Sequence, residues 1–427
     1  MSTHAKSQGT QTGMLARDAG VFFHQHGSSP CVDDLVAAEG AWLTTSSGAR
    51  LLDLHGNSVH HIGHAHPRLI EAIKAQLDDL AFSPRRFANA PATKLAERLT
   101  QRFRGGASRL LLATGGSDAI EIAIRLARAT TRRSALIALE GSYHGHGMGA
   151  FGLSSAHLDS RLGSQLPDIV HVTPYWDEAA GGAARMIADI ESALTTTPGG
   201  IAALIAEPMR STCIVPPAGL WAAVADLLRR HGTKLIFDEI PSGLGKTGRF
   251  FAHEHFDVVP DAVVLGKALG GGVLPIAAVL ADDAWNVAPE LSLGHYTHEK
   301  NPTTARAALT TLDIIEGEGL VARAASLGHY AQTEFEALRS EMPAGGLARM
   351  RGLGLLRVIE LDFAIEPSRG LSPASRLVET ARALGVSTSE KGAAAIGFSP
   401  PMTITQSEID WALRQLSVSA NGLLVRD

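Results

Sequence analysis

Three short segments carry the chemistry in this sequence. Lys267 stands just after the apolar run Ala262–Leu265 and just before Gly270–Gly272. A lysine at an unshifted pKa near 10.4 is neutral in only about one molecule in 2500 at pH 7. Apolar surroundings lower that pKa and turn a poor nucleophile into a Schiff-base former. Asp238 ends the apolar stretch Leu235–Phe237, with Glu239 beside it. In parallel sheets the carboxyl ends of strands collect functional side chains, and a carboxylate there can pair with a buried cation. Thr114-Gly-Gly-Ser-Asp118 joins a strand-like run to a helix-like one. Small residues there expose N–H groups, and the helix N-terminus favours an anion. Each segment also has a plain structural alternative: a snorkelling lysine, a solvated loop acid, and an N-cap at Ser117 with Glu121 nearby. Together the three are specific for pyridoxal 5'-phosphate. The lysine holds the aldehyde, the acid keeps the ring nitrogen protonated, and the cup takes the phosphate.

Those residues need a scaffold. The runs Leu110–Ala113, Ala135–Leu139, Ile201–Ala206, Leu235–Phe237, Ala262–Leu265 and Ile276–Leu280 alternate with helical patterns. Ser117–Ala129 and Ala222–Arg230 are amphipathic, the second closing at Gly232, and Leu69, Ile70, Ile73 and Leu77 recur at helical spacing. This predicts an α/β fold with a mainly parallel sheet covered on both faces. Residues 1–30 read as a loose arm. Ala41–Thr44 and Leu51–Leu54 read as extended, Gly354–Leu361 as a strand pair, and the chain from Glu408 as a last helix. The expected organisation is an arm and part of a small domain at 1–60, a large cofactor-binding domain at 61–318, and the rest of the small α+β domain at 319–427.

Other patterns are weaker. Gly243, Gly245 and Gly248 match a dinucleotide fingerprint, but Arg249-Phe-Phe reads as extended rather than helical, and Asp261 precedes its strand. Lys246-Thr247 fails as a phosphate loop because Ile240 occupies the first glycine position. His60, His61, His64 and His66 cluster without an evident carboxylate or Cys, so no metal is expected. The apolar run Ala262–Ala281 has membrane-span length. Lys267, three glycines and Pro275 interrupt it, which suits two buried strands around a turn.

Composition bounds the rest. With 427 residues, 45% hydrophobic and 19% charged, the chain can bury a large core and is not disordered. A formal charge of −5 argues against a nucleic-acid partner. Cys31 and Cys213 are too few for a disulfide framework, which makes a reducing cytoplasm the default.

From about Gly40 onward the sequence resembles the class III aminotransferases, in the fold-type I group of pyridoxal-phosphate enzymes. The resemblance rests on Gly63-His-Ala-His-Pro67, Gly115-Gly-Ser-Asp-Ala119, Ser142-Tyr-His-Gly145, Ala206-Glu-Pro208, Asp238-Glu-Ile240, Gly245-Lys-Thr-Gly248, Pro260-Asp261, Gly266-Lys267 and Pro400-Pro401. It implies that Lys267 carries the cofactor and shuttles protons, that Asp238 meets the ring nitrogen, and that Glu207 supports the site. It also implies phosphate contacts from Gly115, Gly116 and Ser117, a ring slot between Tyr143 and Ile240, and His144 among the cofactor residues. Thr297 matches a threonine that reaches the phosphate of a neighbouring subunit, which implies a homodimer with shared sites.

The chain also departs from that pattern. Pro241 replaces a glutamine, Glu299-Lys300 precede Asn301-Pro302 where a glycine is usual, and Gly397 replaces an arginine that grips a substrate α-carboxylate. Arg85, Arg86, Arg210 and Lys300 are the substrate-binding candidates. His55-Gly-Asn-Ser-Val59, Ser83-Pro-Arg-Arg86, Glu207-Pro-Met-Arg210, Glu239-Ile-Pro-Ser242 and Thr297-His-Glu-Lys300 resemble a branch linked to aminophosphonate breakdown. That branch implies an ammonia lyase acting on a small hydroxylated aminophosphonate amine. A transaminase on an ω-amine or amino acid is the alternative. A racemase and a cofactor-free binding protein are further ones.

Overall fold

The computed structural model describes residues 13–25, 27–155, 159–162, 168–342, 346–362 and 371–424. The chain forms α1 (Gly13–Val21), β1 (Leu35–Glu39), β2 (Trp42–Thr45), β3 (Arg50–Asp53), α2 (Pro67–Leu80), α3 (Ala90–Arg102), β4 (Ser108–Ala113), α4 (Gly116–Thr131), β5 (Ala135–Leu139), α5 (Met148–Leu153), β6 (Ile169–Val172), α6 (Gly182–Thr196), β7 (Ile201–Ala206), α7 (Leu220–Arg230), β8 (Lys234–Asp238), β9 (Ala262–Leu265) and β10 (Ala277–Asp282). After these come α8 (Pro302–Gly317), α9 (Leu320–Glu341), β11 (Leu347–Leu353), β12 (Leu356–Leu361), α10 (Pro373–Ala383), β13 (Val386–Ser387), β14 (Ala395–Phe398) and α11 (Gln406–Leu424).

The central sheet has seven strands in the order β4-β10-β9-β8-β7-β5-β6. All run parallel except β10, which is antiparallel to both its neighbours. Strand alternation divides the core into two layers. Ala203, Ile205, Ile236 and Val264 pack with Ala119, Ile122, Ala123 and Leu126 of α4. Leu204, Leu235 and Phe237 pack against Met186 and Ile190 of α6 and Trp221 and Val224 of α7. Burying one such side chain stabilises by about 1.5–3 kcal/mol. The parity also has a chemical result. Asp238 follows Ile236 at i+2, so it emerges on the α4 side at the carboxyl end of β8.

A second sheet, β1-β2-β3-β13, joins the two halves of the chain: Val386 and Ser387 pair in parallel with Leu52 and Asp53. The third sheet, β11-β12-β14, is antiparallel. The α/β class with a small α+β portion built from both ends is thus what forms.

Several local expectations change. The stretch read as a loose arm contains α1, a helix with no buried residue; residues 1–12 lie outside the described ones. The cap of α4 is Gly115, not Ser117. Glu121 instead accepts from the N–H groups of Gly149 and Ala150 at the start of α5, at 2.7 and 3.0 Å. Arg249-Phe-Phe forms bends rather than a strand. Among the described residues, no helix is long and apolar enough to cross a membrane.

Candidate active site

The carboxyl ends of β4, β8 and β9 point the same way, and the candidate residues gather there. Asp238 is buried, and its two oxygens are held separately. Oδ2 lies 2.8 Å from His144 Nδ1, and Oδ1 accepts from the Ile240 N–H at 3.1 Å. The loop-acid alternative therefore fails for Asp238. It fails for Glu239 too, which is buried and accepts from the N–H groups of Ala252 and His253 and bonds His253 Nδ1.

Lys267 sits in a tight turn after β9 with φ of +45°. The expectation of a wholly buried lysine needs correction. Its side chain is accessible, because it opens into three adjoining cavities, yet protein surrounds those cavities on most sides. That enclosure lowers its pKa. The attraction of Asp238 and Glu207 opposes the shift, and Lys391 adds to it. Glu207 is buried, and its pKa is raised by that burial and then by the charge of Asp238. Its Oε1 accepts from the Ser211 N–H at 2.9 Å.

Each of the three cavities has its own walls. The first is lined by Gly116, Ser117, Tyr143, His144, Gly145, Glu207, Ser211, Asp238, Ile240, Pro241 and Lys267. The second runs past Thr114, Gly115, Gly116 and the Gly272–Ile276 turn. Here α4 offers its first N–H groups with no side-chain cap, a ready anion seat. The slot is narrow: a Cβ at Gly116 would lie 2.8 Å from Ile240 Cδ1. Ser117 Oγ already accepts from the His146 N–H at 3.0 Å. The third cavity, about 300 Å³, lies toward the small sheets. It includes His55, Asn57, Ser58, Arg357, Lys391, Gly397 and Ser399. A reactive amine, a strand-end acid and an uncapped helix start on connected walls fit pyridoxal 5'-phosphate. Lys267, Asp238 and the Gly115–Ser117 turn would hold it. A separate apolar groove between β4, β10 and residues 285–299 contains neither the amine nor the acid.

Other candidates lie outside these cavities. Thr297, Arg86 and Lys300 are exposed. Arg85 Nη1 donates to the His295 carbonyl at 3.4 Å, and Asn89 Nδ2 donates to the Lys300 carbonyl at 2.9 Å, so these residues form one surface group. The Arg210 guanidinium covers the Trp176 ring at 4.4 Å. The histidine cluster does have a carboxylate, contrary to expectation. Asp53 Oδ2 lies 2.9 Å from His64 Nε2 and 3.9 Å from His60 Nε2. Burial alone would raise the Asp53 pKa, but the His64 bond, His60 and the N–H groups of His55 and Gly56 hold it below the usual carboxylate range. Arg357, Lys391 and Ser211 are cavity residues that sequence reading missed, and His55 entered it only within the 55–59 motif.

The chain matches the aminotransferase class-III family over residues 23–419. It is 35% identical to the (R)-1-hydroxy-2-aminoethylphosphonate ammonia-lyase of Vibrio splendidus, across 94% of this chain and 88% of that one. It is 34% identical to the acetylornithine aminotransferase of Mycolicibacterium smegmatis, across 93% and 95%. An amine transaminase from an uncultivated Pseudomonas species, solved in its pyridoxal-phosphate-bound form, superposes with a TM-score of 0.84 at 29% identity, across 94% and 98%. The chain belongs to the class III aminotransferase family. It is an enzyme, and its cofactor is pyridoxal 5'-phosphate.

Proposed function

We propose that this enzyme is an ammonia lyase for a small hydroxylated aminophosphonate, forming phosphonoacetaldehyde and ammonia from 1-hydroxy-2-aminoethylphosphonate. The observation that carries this reading is Gly397 on the wall of the cavity beside Lys267. No guanidinium stands at that position to grip an α-carboxylate, and glycine cannot replace a bidentate partner. The similarity to a lyase with that substrate in its name supports the same reading.

When bound, pyridoxal phosphate supplies the electron sink for the broken C–H bond. Lys267 Nζ, more often unprotonated because enclosure lowers its pKa, takes the proton from the amine-bearing carbon. It passes a proton to the hydroxyl of the neighbouring carbon, which leaves as water. The unsaturated amine then takes up water and falls to ammonia and aldehyde. Asp238, fixed by His144 and the Ile240 N–H, would pair with the ring nitrogen of the bound cofactor. Tyr143 and Ile240 would bound the ring slot, Glu207 would support Asp238 and Lys267, and Gly115, Gly116 and Ser117 would receive the phosphate.

We further read the enzyme as a cytoplasmic homodimer. In it, a second copy would bring Thr297, with Arg85, Arg86 and Lys300 beside it, to the neighbouring phosphate and substrate. Incubation with the amine and no keto acid tests the reaction. Sustained ammonia release supports the lyase. A halt after one turnover, with the cofactor left aminated, would establish a transaminase instead.

A further inference from the structure

We propose that Lys391, with Ser399 beside it, is the seat for the substrate's phosphonate dianion, an assignment that rests on the reaction proposed above. The seat lies in the third cavity, which shares Lys267 with the cavity of the phosphate cup and none of its other walls.

Backbone pairing assembles it. Gly397 N–H donates to the Ser389 carbonyl at 2.8 Å, and Lys391 N–H donates to the Ala395 carbonyl at 2.8 Å, closing a hairpin. Ser389 and Lys391 are two apart and so share a face. On that face, a Cβ placed at Gly397 would lie 3.3 Å from both Lys391 Cε and Ser389 Oγ. The lysine stem therefore fills the room that a side chain at 397 would need. The intervening Glu390 alternates away and accepts from Ser375 Oγ at 2.9 Å. Across the sheet, Val358 of β12 pairs with Gly397 and so shares its face, while Arg357 pairs with Phe398 and its guanidinium reaches Gln332 of α9.

The charges on these walls are unbalanced. Lys267, Lys391 and Arg357 line the cavity, no carboxylate among the described residues does, and of the three Lys267 has Asp238 and Glu207 as counter-charges. Lys391 Nζ has no hydrogen bond or ion pair among the described residues. Arg357 is held by the Gly354 carbonyl at 2.7 Å and by Gln332 Oε1 at 2.6 Å, both neutral. Burial lowers its pKa, against the opposing influence of Cys213 and of the Glu336 carboxylate. Ser399 is buried, and its hydroxyl has no hydrogen-bond partner among the described residues. An unpaired ammonium and a spare hydroxyl can both donate to one tetrahedral dianion. His55, whose Nδ1 lies 3.0 Å from Ser389 Oγ, lines the same cavity.

The test is calorimetric binding of methylphosphonate to the holoenzyme. Acetate is the monoanion control, and cofactor absorbance shows that each variant is assembled. Wild type should bind methylphosphonate more tightly than acetate. Lys391→Gln should weaken methylphosphonate at least about tenfold, the loss of one charged hydrogen bond, and Lys391→Arg should recover most of it. A wild type that fails to bind methylphosphonate, or a Lys391→Gln dissociation constant within about twofold of wild type, would overturn the seat. The two claims separate cleanly. Lys391-dependent binding without ammonia release from the hydroxyaminophosphonate keeps the seat and loses the reaction. Ammonia release with Lys391-independent binding does the reverse.

Discussion

Lys246 and Lys267 are both lysines in apolar surroundings, and enclosure lowers the pKa of both. Their access differs completely. Lys246 has no exposed surface, and its ammonium donates to the main-chain carbonyls of Ser399, at 3.3 Å, and Pro400. Lys267 opens into three cavities and sees two acids, Asp238 and Glu207. A lowered pKa alone does not make a catalytic lysine. Lys246 ties the 243–248 turn to the Pro400-Pro401 segment, while Lys267 has both a free approach and a counter-charge. The same turn explains why the glycine-rich pattern at 243–248 resembles a nucleotide loop without serving as one.

The largest expected difference between the two lysines is in turnover. Lys267→Ala should lower kcat by at least about 10⁴-fold, since it removes both proton transfer and covalent attachment. Lys246→Met should keep the covalent cofactor band. Steady-state kinetics and absorbance on the two variants check this.

The acid beside Lys267 comes next. Asp238→Asn should lower kcat by about 10²–10³-fold, because a buried charge aimed at the reacting system is lost. The variant should fold, since the amide can still accept from the Ile240 N–H.

Stability separates the lysines in the other direction. The Lys246 pKa is lowered from 10.5 to about 7 by burial. Below about pH 7 it is charged folded and unfolded, and the full cost of burying the charge is felt. Between about 7 and 10.5 the unfolded chain binds the extra proton, so wild-type stability should rise with pH by a few kcal/mol. Lys246→Met should be flatter over that window, read as urea midpoints at pH 7, 8, 9 and 9.5.

The smallest effect should come from the slot wall. Gly116→Ala sets a methyl 2.8 Å from Ile240 Cδ1. A flexible side-chain end can yield, so the expected cost is about 1–2 kcal/mol, near tenfold in cofactor affinity. Fluorescence titration of the apoenzyme measures it.

Much of the scaffold was legible because the central strands are continuous apolar runs. Ala135–Leu139, Ile201–Ala206 and Ala262–Leu265 form with the bounds the sequence suggested. β6 escaped because His171 breaks a four-residue run, and α1 because it buries nothing. Asp238 and Lys267 were legible as strand-end residues of polar type after apolar stretches. His144 behind Asp238 is 94 residues away in sequence, and its contact comes only from folding. Lys391 and Arg357 were invisible for the same reason: only folding brings a residue of β12 and one of the 389–397 hairpin to the same cavity. Arg85, Arg86 and Lys300 stood out as new cations, yet in a single chain they share an exposed surface. Asp53 was missed as a partner of the histidines because it ends β3 and the chain doubles back over it through the Gly56–Ser58 turn.

The central claim is that accessibility, not the lowered pKa, selects Lys267. Borohydride reduction of the holoenzyme followed by peptide mass mapping tests it most directly. The account predicts the reduced cofactor on the peptide containing Lys267 and an unmodified Lys246. Label on Lys246, or a reduced enzyme with no label on Lys267, would contradict it.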